Sequence, residues 1–327
     1  MLINGTMKLT GKRVLVTGGA GFIGSHLVDR IIEENPSSLS VVDNFFLGKE
    51  ENLRDAIKNF PSLKIFRLDA SDLAAMHDVA KKEKVDAVFN LAIVPLPMSL
   101  NYPAFTMKTN IDIAIAMCEL LRWGDIETLV HCSSSEAYGT AQYVSMSEKH
   151  ALIPITPYAA SKAGADQIVL SYFRTFDLDA VIVRPFNNYG PRQNPGTYAG
   201  IIPIVIQRVH KNLPIEIHGD GQQTRDFIYV RDTTDAFIRV YEESSTRGEV
   251  LNIATGEEIS INHLVESLLQ VMGKPNYPVV HVPPRPGDVR RHRGDIQLAR
   301  KLIDFNPPVM AEESLKETVS WYEEIGL

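Results

Sequence analysis

Short apolar runs alternate with helix-length segments along the first part of the chain. The run Arg13 to Thr17 ends in glycines, and apolar residues then recur at helical spacing from Phe22 to Ile32. Similar runs occupy residues 39–42, 64–68, 87–91, 128–132 and 180–184. Because such alternation produces βαβ units, the pattern predicts an α/β fold with a doubly wound parallel sheet buried on both faces.

The pattern changes after about residue 185. Pro, Gly and Asn are concentrated at 185–203 and again at 275–287, which we interpret as ligand-facing loops, and helical periodicity returns at 261–272 and 315–322. We expect residues 1–185 to form the larger domain, with segments near 225–255 returning to it. Residues 186–327 are expected to form mainly a smaller, mixed α/β lobe that binds substrate.

Composition and charge narrow the possible partners. The chain of 327 residues is 44% hydrophobic and 22% charged, as is usual for globular proteins, and has no apolar stretch long enough for a membrane span. Its net charge of -7 disfavours nucleic acid and acidic lipid, so an anionic ligand must be met by local positive charge. The first nine residues lack signal-peptide features, which predicts a cytoplasmic protein.

The chain has two cysteines, Cys118 and Cys132, and both lie in apolar segments. Two thiols are too few for a disulfide framework or a four-thiolate metal site. We expect inert core thiols and predict no metal site.

Glycines at 18, 21 and 24 lie between the first predicted strand and helix. In that position they allow a tight turn, close approach of backbone N–H groups to a pyrophosphate, and close packing of helix on strand. The segment therefore predicts a Rossmann domain that binds a dinucleotide, with Gly18, Gly21 and Gly24 at the cofactor. The alternative is a tight turn without a ligand.

Acidic residues end the second and third apolar runs. Asp43 lies 19 residues beyond Gly24, where a carboxylate accepts hydrogen bonds from the adenosine ribose of NAD and repels the 2′-phosphate of NADP. Asn44 beside it leaves open a purely structural turn. Asp69 is placed for the adenine edge, although a turn role fits it almost equally well.

Tyr158 and Lys162 are four residues apart, on one face of a predicted helix. A nearby cation lowers the pKa of a phenol, so Tyr158 could act as a base toward a substrate hydroxyl while Lys162 holds the nicotinamide ribose. Upstream, Ser134 could share that proton. Glu136 could remove a proton from a carbon next to a ketone, unless it is a strand-end residue in a salt bridge.

With these motifs the sequence resembles the extended short-chain dehydrogenase/reductase superfamily, specifically its NAD-dependent nucleotide-sugar epimerase/dehydratase family. The resemblance rests on ordered motifs at 17–24, 90–92, 110, 133–139, 158–162, 184–192, 225–232 and 285–288. It implies an NAD cofactor and a nucleotide-diphosphate sugar as substrate. Further implied cofactor contacts are Phe22, Ile23, Ala70, Leu91, Ala92, Asn110 and Pro185. Implied substrate contacts are Ser134, Asn187 on sugar or phosphate, Arg192, the diphosphate clamps Arg225 and Arg285, and Asp288.

The residues after Ser134 bear on the reaction outcome. Dehydratases of this family typically carry Asp and Glu there, with Glu taking the C5 proton and Asp assisting loss of the C6 hydroxyl, whereas epimerases usually lack the Glu. This chain has Glu136 but Ser135 in place of the Asp, as in GDP-mannose dehydratases and UDP-glucuronate decarboxylases. The resemblance thus favours a 4,6-dehydratase with Ser134, Ser135, Glu136, Tyr158 and Lys162 as catalytic residues.

Other outcomes remain open. A UDP-sugar 4-epimerase is the main alternative, followed by UDP-glucuronate decarboxylation and by a non-catalytic NAD-binding protein. The family resemblance also implies a homodimer that pairs the helix around Asn110 to Leu121 with the helix beginning near Tyr158. On the second helix, Ala163, Gln167 and Leu170 fit either that pairing or packing on the sheet.

Overall fold

The computed structural model describes residues 7–196, 200–284 and 290–326. Its strands are β1 (Arg13–Thr17), β2 (Ser38–Asp43), β3 (Lys64–Arg67), β4 (Ala87–Asn90), β5 (Thr128–Cys132), β6 (Ala180–Pro185), β7 (Asn187–Tyr189), β8 (Ile215–His218), β9 (Thr224–Arg225), β10 (Phe227–Tyr229), β11 (Val250–Ile253), β12 (Ile259–Ser260) and β13 (Val279–Val282). Its α-helices are α1 (Phe22–Glu33), α2 (Arg54–Asn59), α3 (Leu73–Glu83), α4 (Leu96–Asn101), α5 (Pro103–Trp123), α6 (Pro157–Phe176), α7 (Ile201–His210), α8 (Val230–Glu242), α9 (Ile261–Val271), α10 (Gln297–Ile303) and α11 (Glu312–Glu324). Short 3-10 turns lie at Glu50–Leu53, Ser135–Tyr138 and Ser244–Thr246.

Seven parallel strands form the main sheet, in the order β3-β2-β1-β4-β5-β6-β11. Side chains of β1 alternate between its faces, so that Val14 and Val16 join one hydrophobic core and Leu15 joins the other. The first core includes residues of α1, α8 and α10, and the second includes residues of α3, α5 and α6. The doubly wound parallel sheet predicted from the sequence is confirmed.

The apolar pattern does not reveal β11, the edge strand that pairs with β6. This strand has only four residues and includes the polar Asn252, which leaves too little periodicity to recognise. Before it, α8 packs on α1, and α10 joins the same core later in the chain. Residues 230–253 and 297–303 therefore complete the larger layer of the molecule.

A smaller lobe has a hydrophobic core of its own, which includes residues of α7, α9 and α11. Its strands form two-stranded pairs: β7 with β10, β9 with β12, and β8 with β13. Across the described ranges, no helix combines the length and apolarity that crossing a membrane requires.

Asp226, between β9 and β10, holds the junction of the two lobes together. Its fully buried carboxylate accepts hydrogen bonds from Thr255 N and Oγ1 at 2.8 and 2.7 Å, from Gly256 N at 3.0 Å and from Gly294 N at 3.2 Å. Thr255 and Gly256 follow β11 closely in the chain, and Gly294 precedes α10. One carboxylate thus joins its own segment to two others, because buried backbone donors require acceptors.

Asp226→Ala should destabilise the protein strongly. The substitution leaves several buried donors without an acceptor. Each unsatisfied donor lowers the free energy of unfolding by on the order of 1–3 kcal/mol. Asp226→Asn, which keeps one acceptor oxygen, should lose less. Thermal unfolding measures both effects.

Asp220→Ala is the matched control, since Asp220 is exposed and pairs with the exposed Arg290. Its melting temperature should stay near that of the wild type. Equal melting temperatures for Asp226→Ala and Asp220→Ala would contradict the role given to Asp226.

Candidate active site

A cavity of about 1030 Å³ lies along the carboxyl-terminal edge of the main sheet. Ligands of open α/β sheets bind at this edge, because the loops that leave parallel strands meet there. Most residues predicted to bind the cofactor line the cavity: Gly18, Gly21, Phe22, Ile23, Gly24, Asp43, Asn44, Asp69, Ala70, Leu91, Ala92, Tyr158, Lys162 and Pro185. Ser134 and Arg192 line it as well, and α11 contributes Trp321.

The glycine loop closes tightly between β1 and α1. Gly18 has a positive φ of 68°, and a Cβ on Gly24 would lie 2.1 Å from the carbonyl oxygen of Gly18. Neither position therefore accepts a side chain without movement of the backbone. No acidic residue lies in the first turn of α1, and its N-cap residue Gly21 provides no side-chain cap. The free N–H groups of this turn are suited to bind an anion such as a pyrophosphate.

Asp43 both shapes the loop and lines the cavity. Its carboxylate accepts hydrogen bonds from the backbone N–H groups of Ala20 at 2.9 Å and Phe45 at 2.8 Å. Burial raises the pKa of Asp43, and these two bonds oppose the rise. Asn44 likewise accepts from Phe46 N at 3.0 Å, as in an Asx turn. The turn and the cavity-facing interpretations of this segment are therefore compatible.

Asp69, like Asp43, both accepts hydrogen bonds within its own turn and lines the cavity. Its Oδ1 accepts hydrogen bonds from the backbone N–H and the hydroxyl of Ser71, at 2.9 and 2.7 Å, while the residue lines the cavity.

Asn110 has a buried side chain whose amide bonds within the protein, and its contact with the cofactor stays a prediction. Its Oδ1 accepts from Val94 N at 2.8 Å, and its Nδ2 donates to Val94 O at 3.1 Å and to Ser161 Oγ at 2.9 Å. Because these bonds occupy the amide, Asn110 positions the segment after β4 and is not among the residues that line the cavity.

Tyr158 and Lys162 lie one turn apart near the start of α6, which Thr156 caps through a 3.1 Å bond from Ala159 N. The Lys162 ammonium is buried and donates to the Cys132 carbonyl at 2.6 Å. Ser134 lies close enough to the Tyr158 phenol to lower its pKa, and the sharing of a proton between the two stays a prediction.

The expected lowering of the Tyr158 pKa is not found. Burial raises the pKa of Tyr158 above its usual value, and the hydrogen bond from Ser134 opposes this rise only in part. Burial also lowers the pKa of Lys162. The desolvation of both groups outweighs the attraction between a phenolate and an ammonium on which the expectation rested.

The turn after Ser134 brings Glu136 toward the second lobe. Ser134 Oγ accepts from Glu136 N at 3.2 Å and caps the 3-10 turn Ser135–Tyr138. Burial raises the pKa of Glu136, and the charge of Arg225 opposes the rise. The charge of Glu136 in turn raises the pKa of Tyr158. This carboxyl group therefore interacts electrostatically with both Arg225 and Tyr158. Ser135 is buried in the turn and provides no acidic group.

A buried network behind the site was not predicted from the sequence. Asp166 Oδ2 accepts from Ser133 Oγ at 2.8 Å and from Arg184 Nη2 at 2.5 Å, and the Arg184 guanidinium lies 4.5 Å from the ring centre of Tyr138. The spacing of Lys162 and Asp166, one turn apart on α6, is the signal that could have indicated it. The network fixes Ser133, next to Ser134.

The residues predicted to contact the substrate lie in different parts of the molecule. Arg192 has a φ of 64° and donates to Asp29 at 2.6 Å and to Asp55 at 3.3 Å, both on the larger layer. Arg225 Nη1 donates to the Thr224 carbonyl at 2.8 Å, and Asn187 contacts His292 near the Ser135 turn. Arg285 and Asp288 lie outside the described residues. Within the described ranges, no three His, Cys, Asp or Glu side chains group to hold a metal ion.

Comparisons with known proteins agree with this geometry. The model of the NAD dependent epimerase/dehydratase family matches residues 14–254. The UDP-glucose 4-epimerase of Mycolicibacterium smegmatis is 34% identical over 312 residues, which cover 95% of this chain and 98% of that protein. The chain therefore belongs to the NAD-dependent epimerase/dehydratase family, whose cofactor is NAD and whose relatives act on nucleotide sugars.

Two solved structures represent different reactions on this fold. The UDP-N-acetylglucosamine 4-epimerase of Methanobrevibacter ruminantium has 35% identity and a TM-score of 0.90, covering 97% of this chain and 99% of its own. The dTDP-glucose 4,6-dehydratase of Streptomyces venezuelae, solved with NAD bound, has 29% identity and a TM-score of 0.87, covering 95% and 97%. The fold and the family are shared by enzymes of both types.

Gly24→Ala should weaken NAD binding by about 100-fold or more, since a backbone shift costing about 3 kcal/mol has that effect. The added Cβ would lie 2.1 Å from Gly18 O and would displace the loop that faces the cavity. Calorimetric titration of the purified variant with NAD measures the loss.

Gly164→Ala, in the interior of α6, is the control, because its Cβ would meet only the side-chain end of Ile111 at 3.0 Å. It should bind NAD as the wild type does. An unchanged NAD affinity in Gly24→Ala would refute the role of close packing at this loop.

Proposed function

We propose that the protein is a nucleotide-sugar 4,6-dehydratase, which oxidises the hexose at C4 and eliminates water across C5 and C6. Glu136 carries this proposal, because it places a carboxyl group with a raised pKa beside Tyr158 and Ser134. A carboxylate so placed is suited to remove the C5 proton once the C4 ketone has made it acidic.

Ser134 and Tyr158 act on the C4 hydroxyl in this scheme. Ser134, which lowers the pKa of the neighbouring Tyr158, and Tyr158 together take the hydroxyl proton as C4 becomes a ketone. Lys162, one turn away, favours negative charge on the phenol oxygen while the proton moves. NAD, held by the glycine loop and Asp43, supplies the reversible hydride acceptance that the oxidation at C4 and the final reduction at C6 require.

Glu136 serves as both base and acid. The proton that it takes from C5 is delivered to the C6 hydroxyl, which leaves as water. This single proton balances the elimination, so Ser135 need not replace the acid found in other dehydratases. A raised pKa supports the role, since Glu136 must hold the proton between the two transfers.

The substrate we propose is a nucleotide-diphosphate hexose. Arg225 is a cation near Glu136, and a guanidinium matches the oxygens of a diphosphate. Arg285, Asp288, Arg192 and Asn187 are further contacts that the family resemblance implies. The arginines among these residues allow an acidic protein to bind an anionic substrate.

A 4-epimerase of a UDP-sugar is the second candidate. Two observations favour it: the buried Ser135 offers no acid, and the relatives include 4-epimerases at 34% and 35% identity. In that reaction the 4-keto intermediate rotates in the pocket and takes the hydride back on its other face. The hexose is neither dehydrated nor changed in mass.

Incubation with UDP-glucose, dTDP-glucose and their N-acetylamino analogues separates the two candidates. We expect a 4-keto-6-deoxy product that has lost one water, detected by mass spectrometry and NMR. Interconversion of gluco and galacto isomers without loss of water would establish the epimerase instead.

Glu136→Gln should abolish water loss, by more than about 100-fold, because it removes the base while keeping the size of the side chain. Hydrogen exchange at C5 should also cease, whereas oxidation at C4 continues and is visible as reduced cofactor. Tyr158→Phe is the matched variant and should block oxidation itself. If Glu136→Gln forms product at the wild-type rate, the proposed role of this residue is wrong.

The pH dependence of the elimination should reflect the shifted carboxyl group. Since Glu136 must be ionised to act as a base and its pKa is raised, kcat should fall on acidification with a midpoint above 4.5. Arg225→Gln should move this midpoint upward, because Arg225 lowers the pKa, and Arg225→Lys should restore it. A midpoint at or below 4.5, or one that Arg225→Gln leaves in place, would contradict the assignment.

We further propose a homodimer, as the family resemblance implies. On α6, Ala163 and Leu170 are buried within the subunit, so only part of this helix is available for pairing. Support comes instead from α5, where Phe105, Met107 and Ile115 are exposed.

A further inference from the structure

An ion pair in the interior joins helix α6 to strand β6. Asp166 on α6 and Arg184 on β6 have side chains that are 0% and 2% exposed, and Arg184 Nη2 donates to Asp166 Oδ2 at 2.5 Å. Burial lowers the pKa of Arg184, but the neighbouring Asp166 and Tyr138 more than offset this effect, so that the pKa lies above its usual value. The guanidinium is therefore ionised, and it depends on Asp166 for compensation of its buried charge.

The first end of the active-site turn, which we define as residues 133–138, is bonded to this ion pair. Ser133 Oγ donates to Asp166 Oδ2 at 2.8 Å, and the backbone N–H of Ser133 donates to the Val183 carbonyl on β6 at 2.7 Å. The helix that carries Asp166 also carries Tyr158 and Lys162. The bond from Ser133 thus links the turn directly to the helix of these two residues.

The other end of the active-site turn contacts the same ion pair. The Arg184 guanidinium carbon lies 4.5 Å from the ring centre of Tyr138, within the range of a cation–π interaction. Tyr138 is fully buried, and its hydroxyl donates to Asn252 Oδ1 on β11 at 2.7 Å. Asp166 and Arg184 therefore hold both ends of a segment whose middle carries Ser134 and Glu136.

Hydrogen bonds within the turn set its shape. Ala137 N donates to the Ser134 carbonyl at 3.1 Å, and Gly139 N donates to the Glu136 carbonyl at 3.0 Å. Glu136 N donates to Ser134 Oγ at 3.2 Å. These bonds connect the turn to itself, whereas the side-chain contacts of Ser133 and Tyr138 connect that shape to α6 and β6.

We propose that Asp166 and Arg184 are positioning residues, which hold the active-site turn so that Ser134 and Glu136 meet the reacting sugar beside Tyr158. Neither residue is among those that line the cavity, so both act through the turn. A small displacement of reacting groups lowers the rate more than it weakens binding. This inference rests on the proposed nucleotide-sugar chemistry, and it applies to a dehydratase and to an epimerase, because both begin with oxidation at C4.

Arg184→Gln in the NAD-loaded enzyme tests the proposal, because it leaves the Asp166 charge buried and unpaired and removes the cation beside Tyr138. Oxidation at C4 is followed as reduced cofactor after mixing with UDP-glucose or dTDP-glucose. Its rate per folded molecule should fall about 100-fold, while the half-saturating sugar concentration and the affinity for NAD stay within about twofold of the wild type. Arg184→Lys, which keeps the charge, should recover part of the rate.

Arg247→Gln is the matched control. The Arg247 side chain is also 2% exposed, donates to Asp179 Oδ1 at 2.5 Å and has its guanidinium carbon 5.9 Å from the ring centre of Tyr241. Asp179 directly precedes β6, so this pair lies at the end of the strand opposite the active-site turn. Arg247→Gln should lower the melting temperature, as Arg184→Gln does, but should keep the wild-type rate of oxidation.

The double variant Asp166→Asn/Arg184→Gln keeps the test decisive if Arg184→Gln does not fold. It leaves no buried charge unpaired, and the amide oxygen of the introduced Asn can still accept from Ser133 Oγ. Its oxidation rate should lie about 10-fold below that of the wild type, because only the cation beside Tyr138 is lost. It should therefore be faster than Arg184→Gln, a non-additive result that identifies the two residues as one unit.

Backbone hydrogen exchange, measured by mass spectrometry, tests the placement of the turn without turnover. In Arg184→Gln, or in the double variant if the single variant does not fold, peptides that cover residues 133–138 should exchange at least about 10-fold faster than in the wild type. The same peptides should be unchanged in Arg247→Gln.

The proposal is overturned by a wild-type oxidation rate in Arg184→Gln, by equal rate losses in Arg184→Gln and Arg247→Gln, or by a turn that exchanges no faster than in Arg247→Gln. Oxidation without loss of water by the wild-type enzyme would refute only the dehydratase. If the wild-type enzyme oxidises neither nucleotide sugar, the proposed function fails, and the exchange of residues 133–138 still decides whether the ion pair positions the turn.

Discussion

The common direction of the strands in the main sheet is the constraint on which the site depends. Because all seven strands are parallel, their carboxyl ends share one edge, and the loops that leave them face one cavity. Residues far apart in the chain meet there for that reason alone. They are the glycine loop after β1, Asp43 on β2, Asp69 after β3, Leu91 after β4, Ser134 after β5 and Pro185 on β6.

A feature can be predicted from the sequence when the residues that determine it are close together in the chain. Strands β1 to β6 and the glycine loop could be predicted, since apolar alternation and turn chemistry are encoded locally. The positions of Asn110 and His292 could not, because each depends on partners distant in the chain: Ser161 for one, Ser135 and Asn187 for the other. The direction of the Tyr158 pKa shift could not be predicted either, because burial is a property of the folded molecule.

Desolvation governs the electrostatics of the site more than pairwise attraction does. Burial moves the pKa values of Tyr158, Glu136, Lys162 and His292 in the direction that favours the neutral form of each group. Tyr158 and Glu136 therefore hold their protons more firmly than exposed groups of the same kind, and charge or hydrogen bonds supplied by the bound ligands must favour each proton transfer. Such control by the ligands suits a reaction in which the same few side chains take up a proton and later return it.

The Asp226 junction also limits how the molecule can move. Its carboxylate joins the segment between β9 and β10 to residues beyond β11 and before α10, so the two lobes share buried hydrogen bonds rather than a free linker. A hinge between the lobes would have to break several of these bonds together. Entry of ligands should therefore rely on local displacement of surface loops, with the lobes keeping a fixed relative orientation through the catalytic cycle.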